Sequence, residues 1–173
     1  GFAKGILELC DVCGVGYFCP GGMNSSACPA MSSSLTGSSK ISDCSCKAGW
    51  YTGSAGICII CETGFYCERA VKTRCPANTN TTQLGSPDST FCKCNPGYTI
   101  ASNSTCQKCM AGTYKTMIGQ ESCNECLANT YSGNVGAVSV DVCTTCPGGS
   151  TSLSASTAIT QCKCKVGYAG GDG

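Results

Sequence analysis

The stretches between cysteines in this chain are small and polar. PAMSSSLTGSSKISD and PGGSTSLSASTAITQ, residues 29–43 and 147–161, are built largely from Ser, Thr, Gly and Ala. Gly supplies positive φ and short polar side chains satisfy nearby backbone groups, so these stretches predict turns and short irregular β-hairpins with little helix. FAKGILEL, residues 2–9, is the one plausible helical turn. Aromatic residues recur in one place, a few positions after a cysteine and usually behind glycine: Tyr17, Phe18, Trp50, Tyr51, Phe65, Tyr66, Tyr98, Tyr114, Tyr131 and Tyr168. Glycine permits the turn and the ring is expected to cover the adjacent disulfide, giving each module a miniature apolar centre. The competing reading is a ladder of exposed rings for a ligand.

Val, Ile, Leu and Phe together number only 26 of 173 residues, too few for one continuous hydrophobic core. Cysteine instead numbers 20, a density that persists as disulfides only in an oxidising compartment. An extracellular location is therefore expected. No charged leader with an apolar stretch opens the sequence, so we read it as a mature chain or a fragment. No apolar run approaches the ~20 residues that span a bilayer, so no membrane insertion is expected within this segment. The formal net charge is +1 with scattered charges, which leaves no electrostatic footprint for nucleic acid. The densest basic group, Arg69, Lys72 and Arg74, reads as a solvated loop.

Cys10, Cys58 and Cys106 recur at intervals of 48 residues, and each opens a C-x-x-C pair. This internal period divides the chain into residues 1–57, 58–105 and a longer third repeat, 106–173, with an extra loop. CGVGYFCPGG matches CETGFYCERA, and SDCSCKAGWY matches TFCKCNPGY. The fold class expected is an elongated, disulfide-rich tandem array.

Spacing alone does not determine connectivity. Local pairing joins Cys13 to Cys19, Cys28 to Cys44, Cys46 to Cys58, Cys61 to Cys67, Cys75 to Cys92, Cys94 to Cys106, Cys109 to Cys123, Cys126 to Cys143 and Cys146 to Cys162, without overlap. A crossed pattern, such as Cys61 with Cys75 and Cys67 with Cys92, is the alternative. Local pairing leaves Cys10 and Cys164 over. By analogy with Cys46–Cys58 and Cys94–Cys106, they are expected to bond to an earlier and a later module, or between identical subunits.

The run CQKCMAGTYKTMIGQESCNECLANTYSGNVGAVSVDVCTTCPGGSTS, residues 106–152, resembles ephrin-receptor-like cysteine-rich repeats. Looser similarity extends to tumour-necrosis-factor-receptor and EGF-like modules. The CGVGYFCPGG opening is similar to modules of large algal and protist surface glycoproteins of the mastigoneme type. The resemblance implies fold far better than function, because such modules serve as spacers, receptors and fibre subunits. It departs from calcium-binding EGF-like modules, since Asp11, Asp43, Asp88 and Asp141 stand without acidic partners.

Five C-x-x-C pairs without a single histidine do not read as zinc knuckles or a thioredoxin-like site. Histidine-based triads are impossible, and carboxylates are few and scattered. We therefore expect no enzyme, no cofactor and no metal. Asn24 in NSS, Asn80 in NTT and Asn103 in NST are N-glycosylation sequons in loops of a secreted chain. The expected function is a structural or adhesive segment of a large extracellular glycoprotein at the cell or flagellar surface, assembling as a filament with neighbouring modules, identical subunits or other surface glycoproteins. The alternative is the ligand-binding ectodomain of a receptor.

Overall fold

The computed structural model describes residues 10–21, 24–102 and 104–170. The helical turn expected over residues 2–9 lies outside them, as does Asn103. Among the described residues there is no α-helix, and eighteen short strands form nine two-stranded sheets. β1 (Tyr17–Gly21) pairs with β2 (Asn24–Ala27), β3 (Ser32–Ser33) with β4 (Ser45–Cys46), and β5 (Trp50–Thr52) with β6 (Cys58–Ile60). β7 (Phe65–Glu68) pairs with β8 (Val71–Arg74), β9 (Thr79–Asn80) with β10 (Lys93–Cys94), and β11 (Tyr98–Ile100) with β12 (Cys106–Lys108). β13 (Thr113–Tyr114) with β14 (Asn124–Glu125), β15 (Thr130–Tyr131) with β16 (Thr144–Thr145), and β17 (Ser150–Thr151) with β18 (Lys163–Cys164) complete the set.

Every hairpin begins in the same way. A cysteine stands four residues before the first strand: Cys13, Cys28, Cys46, Cys61, Cys75, Cys94, Cys109, Cys126 and Cys146. The residue three after it has positive φ, being Gly16, Met31, Gly49, Gly64, Asn78, Gly97, Gly112, Asn129 or Gly149. A tight turn delivers the chain there, as where Trp50 N donates to Lys47 O at 3.0 Å and Thr130 N to Leu127 O at 3.1 Å. Glycine and asparagine predominate because they tolerate the left-handed region. The 48-residue sequence period thus holds three hairpins.

The described residues fall into two compact bodies, one from residues within 10–62, Tyr66–Thr73 and Leu84–Asp88, the other from Thr63–Phe65, Arg74–Gln83 and residues within 89–170. Within each body, consecutive hairpins are tied by backbone bonds. In the first, Cys28 N donates to Gly16 O at 2.8 Å and Cys61 N to Gly49 O at 2.9 Å. In the second, Cys75 N, Cys109 N, Cys126 N and Cys146 N donate to the carbonyls of Gly64, Gly97, Gly112 and Asn129. Where two cysteines are separated by one residue, the donor moves on by one: Lys47 N to Met31 O, Asn95 N to Asn78 O and Lys165 N to Gly149 O, each at 2.9 Å. C-x-x-C and C-x-C spacings therefore mark two registers of one junction.

Cystine fills the interior. Cys61, Cys67, Cys94, Cys109 and Cys126 are almost wholly buried, whereas Leu35 and Leu153 are more than 80% exposed. The aromatic rings expected to form miniature centres are only half-buried for the most part, and Tyr17 and Tyr168 are exposed. The disulfide joins the two arms in seven of the nine hairpins and closes six residues of the first arm in β1–β2 and β7–β8.

Backbone packing is tight at Gly49, where φ is 83° and an added Cβ would overlap the carbonyl of Gly85. Gly49→Ala is expected to lower stability by more than about 1 kcal/mol, because both the left-handed conformation and the backbone contact oppose it. Gly14→Ala, with open space around the new methyl group, should be near neutral. Denaturant midpoints under non-reducing conditions compare the two.

Candidate functional site: the cysteine ladder and its open positions

The residue chemistry of this chain converges on its junctions. The structure joins Cys13 to Cys19, Cys28 to Cys44, Cys46 to Cys58, Cys61 to Cys67, Cys75 to Cys92, Cys94 to Cys106, Cys109 to Cys123, Cys126 to Cys143 and Cys146 to Cys162. Cys61 and Cys67 are thus paired with one another, and Cys75 with Cys92, in place of the crossed alternative. In the four C-x-x-C pairs whose cysteines are both bridged, the two belong to different bridges. Cys58, for example, closes the loop from Cys46, and Cys61 opens the loop to Cys67. Such a pair does not form the internal disulfide that dithiol redox chemistry uses. No cluster of three or more metal-ligating side chains occurs among the described residues.

Cys10 and Cys164 are free and exposed. Cys164 stands at the head of a turn like those that open the other hairpins: Lys165 N donates to Gly149 O, Tyr168 N donates to Lys165 O at 3.0 Å, and Gly167 has φ 89°. It is the second cysteine of a C-x-C, as are Cys46 and Cys94, whose partners lie twelve residues on. Cys10 is the first cysteine of a C-x-x-C, as are those partners, Cys58 and Cys106. The two free thiols are therefore of complementary type.

A second ladder of polar side chains runs six residues after the opening cysteines, where Ser34, Thr81, Lys115, Ser132 and Ser152 are buried. Ser34 Oγ donates to Tyr17 O at 2.6 Å and Ser152 Oγ to Thr130 O at 2.9 Å, each reaching the start of the preceding hairpin. Lys115 Nζ does the same toward Tyr98 O at 2.9 Å and also donates to Gly119 O. Burial pushes the Lys115 ammonium below the usual lysine range, while Glu121 opposes the shift. Cys19 and Cys67 occupy this position in the two hairpins with six-residue disulfide loops. Lys115 thus stands where two hairpins place a disulfide cysteine and four a buried hydroxyl residue, and sequence reading passed over it because lysine is ordinarily a surface residue.

Two residues of the basic group, Lys72 and Arg69, make local contacts. Lys72 hydrogen-bonds Glu62, which holds its ammonium above the usual lysine range, and lies 5.1 Å from the Tyr51 ring centroid. Arg69 stands 4.0 Å from Glu68. The sequons differ in setting: Asn24 is exposed in β2, and Asn80 is half-buried in β9.

Residues 97–143 match the family model described as tyrosine-protein kinase ephrin type A/B receptor-like. The match spans β11 to the close of the Cys126–Cys143 loop and overlaps the segment whose sequence carries the resemblance. This part of the chain is similar to an ephrin-receptor-like cysteine-rich module, a non-catalytic module type of extracellular proteins. No curated protein matches the chain significantly.

Lys115→Met retains the aliphatic stem but leaves the carbonyls of Tyr98 and Gly119 without their donor. We expect it to cost about 1–3 kcal/mol in denaturant unfolding, the usual penalty for unsatisfied buried polar groups. Asp43 supplies a pH-dependent test. Its carboxylate accepts from Lys40 N and Ser39 N at 2.9 and 2.8 Å, which holds its pKa below the usual aspartate value. A lowered folded-state pKa gives a contribution that is present above the unfolded value, near about 4, and is lost as pH falls through the folded value. Protection of the Ser39 and Lys40 amides should accordingly decline under acid, and Asp43→Asn should flatten that dependence in hydrogen exchange.

Proposed function

We propose that this chain is a structural or adhesive segment of a large extracellular glycoprotein, a component of a surface or flagellar fibre of the mastigoneme type. The observation that carries the reading is the repeated junction with an exposed free cysteine of complementary type at each end of the described array. Cys164 bonds to a following module or to a second copy of the chain, and Cys10 to a preceding one. The side-chain ladder serves that architecture by fixing one hairpin against the next within each body. No catalytic role, cofactor or metal enters the proposal, and N-linked glycan is expected on its surface.

A ligand-binding receptor ectodomain is the second reading, favoured by the similarity of residues 97–143 to the ephrin-receptor-like family. It differs in requiring a protein ligand and no covalent continuation through Cys10 or Cys164.

Non-reducing peptide mapping of the native glycoprotein separates these readings. The structural reading expects Cys10 and Cys164 in bridges to peptides outside this segment or between two copies. Free thiols at both positions, or a Cys10–Cys164 bond within one chain, would contradict it.

A further inference from the structure

We propose that, of the two sequons in the described residues, Asn24 carries an N-linked glycan while Asn80 is kept bare by the hairpin it helps to build. The inference rests on the extracellular reading above. Glycan transfer needs the carboxamide nitrogen Nδ2 to form a bond to C1 of a sugar held on a lipid diphosphate. The C1–O bond to the diphosphate breaks, the amide loses one proton and the lipid diphosphate leaves. Both the planar carboxamide and its flanking backbone must therefore be free to turn toward the donor while the chain is oxidising and folding.

Asn24 comes nearer to that requirement: it is the first residue of β2, its backbone pairs with Gly21 next to a register shift, and its side chain is exposed. It lies between the Cys13–Cys19 and Cys28–Cys44 loops, outside every closed disulfide loop, and every residue of β2 is exposed. Loop closure on either side leaves it accessible. Asn80 lies inside the Cys75–Cys92 loop, and its backbone pairs with Lys93 between β9 and β10. Its Oδ1 accepts from Thr81 N at 2.8 Å, so the carboxamide that would present Nδ2 is already oriented from within its own sequon. Thr81 is 2% exposed, and its Oγ1 accepts from Gly64 N at 3.0 Å. The sequon is thus pinned at its first two residues, one bond tying it to the preceding hairpin. Transfer to Asn80 requires these bonds to be undone, and oxidation of Cys75 with Cys92 shortens the time available.

The test uses the chain secreted from eukaryotic cells with all cysteines present. Enzymatic release of N-glycans in heavy-oxygen water converts each glycosylated Asn to labelled Asp, which peptide mass spectrometry locates. The expected result is predominant labelling at position 24 and a several-fold lower level at position 80. Thr81→Ala keeps an intact sequon, Asn-Ala-Thr, but removes the bond from Gly64 N, and should raise labelling at position 80 several-fold. Equal labelling at both positions, a bare Asn24, or no response to Thr81→Ala would overturn the assignment. Thiol titration of the same sample reads the premise separately. Mostly free cysteines contradict the extracellular reading, whereas oxidised cysteines with a bare Asn24 contradict the glycan assignment alone.

Discussion

Disulfide closure, between the two arms in seven of the nine hairpins and within the first arm of β1–β2 and β7–β8, is the constraint on which the rest of the structure depends. The strands are too short and the aliphatic residues too exposed for an apolar core to order the chain, as Leu35 and Leu153 illustrate. In the chain-entropy model, closing a 15-residue loop restricts the unfolded ensemble by about 3 kcal/mol. Most loops here are of that order, with separations of 12 to 17 residues. The cystine sulfurs then supply the buried apolar matter that side chains supply elsewhere. A left-handed residue three positions after the opening cysteine aims the first strand so that the second can return to the bridge.

Polar bonds act on top of that framework. Once a hairpin is closed, the amide of the next opening cysteine or of the residue after it meets the carbonyl of the left-handed residue, and the side chains of Ser34, Thr81, Lys115 and Ser152 bond back to the preceding hairpin. This position accepts a disulfide sulfur, a hydroxyl or, at Lys115, an ammonium, because each can be satisfied there. A buried ammonium is the most demanding of the three. It persists because two backbone carbonyls receive it.

Much of this was legible in the cysteines and in the composition of the loops. Ser- and Gly-rich stretches between half-cystines point to hairpins, and the run over residues 106–152 carries its family likeness openly. The finer unit was harder to see. Its mark is a single backbone conformation, which the sequence writes as Gly49 or Gly97 in some hairpins, Asn78 or Asn129 in others, and Met31 in one. The recurring C-x-x-Gly/Asn was the available signal. Lys115 gave none, since Tyr98 is brought to it only when consecutive hairpins meet. The aromatic residues misled by size: rings suggest a core, but here the smaller cystines are nearer the interior.

The most direct test of disulfide-held order is complete reduction and alkylation of the chain at neutral pH without denaturant, followed by far-ultraviolet circular dichroism and amide NMR. Loss of β signal and collapse of amide dispersion are expected, because ~15% aliphatic and phenylalanine content cannot offset the recovered chain entropy. Retention of dispersed, exchange-protected amides after full reduction would contradict the claim that the bridges hold the fold.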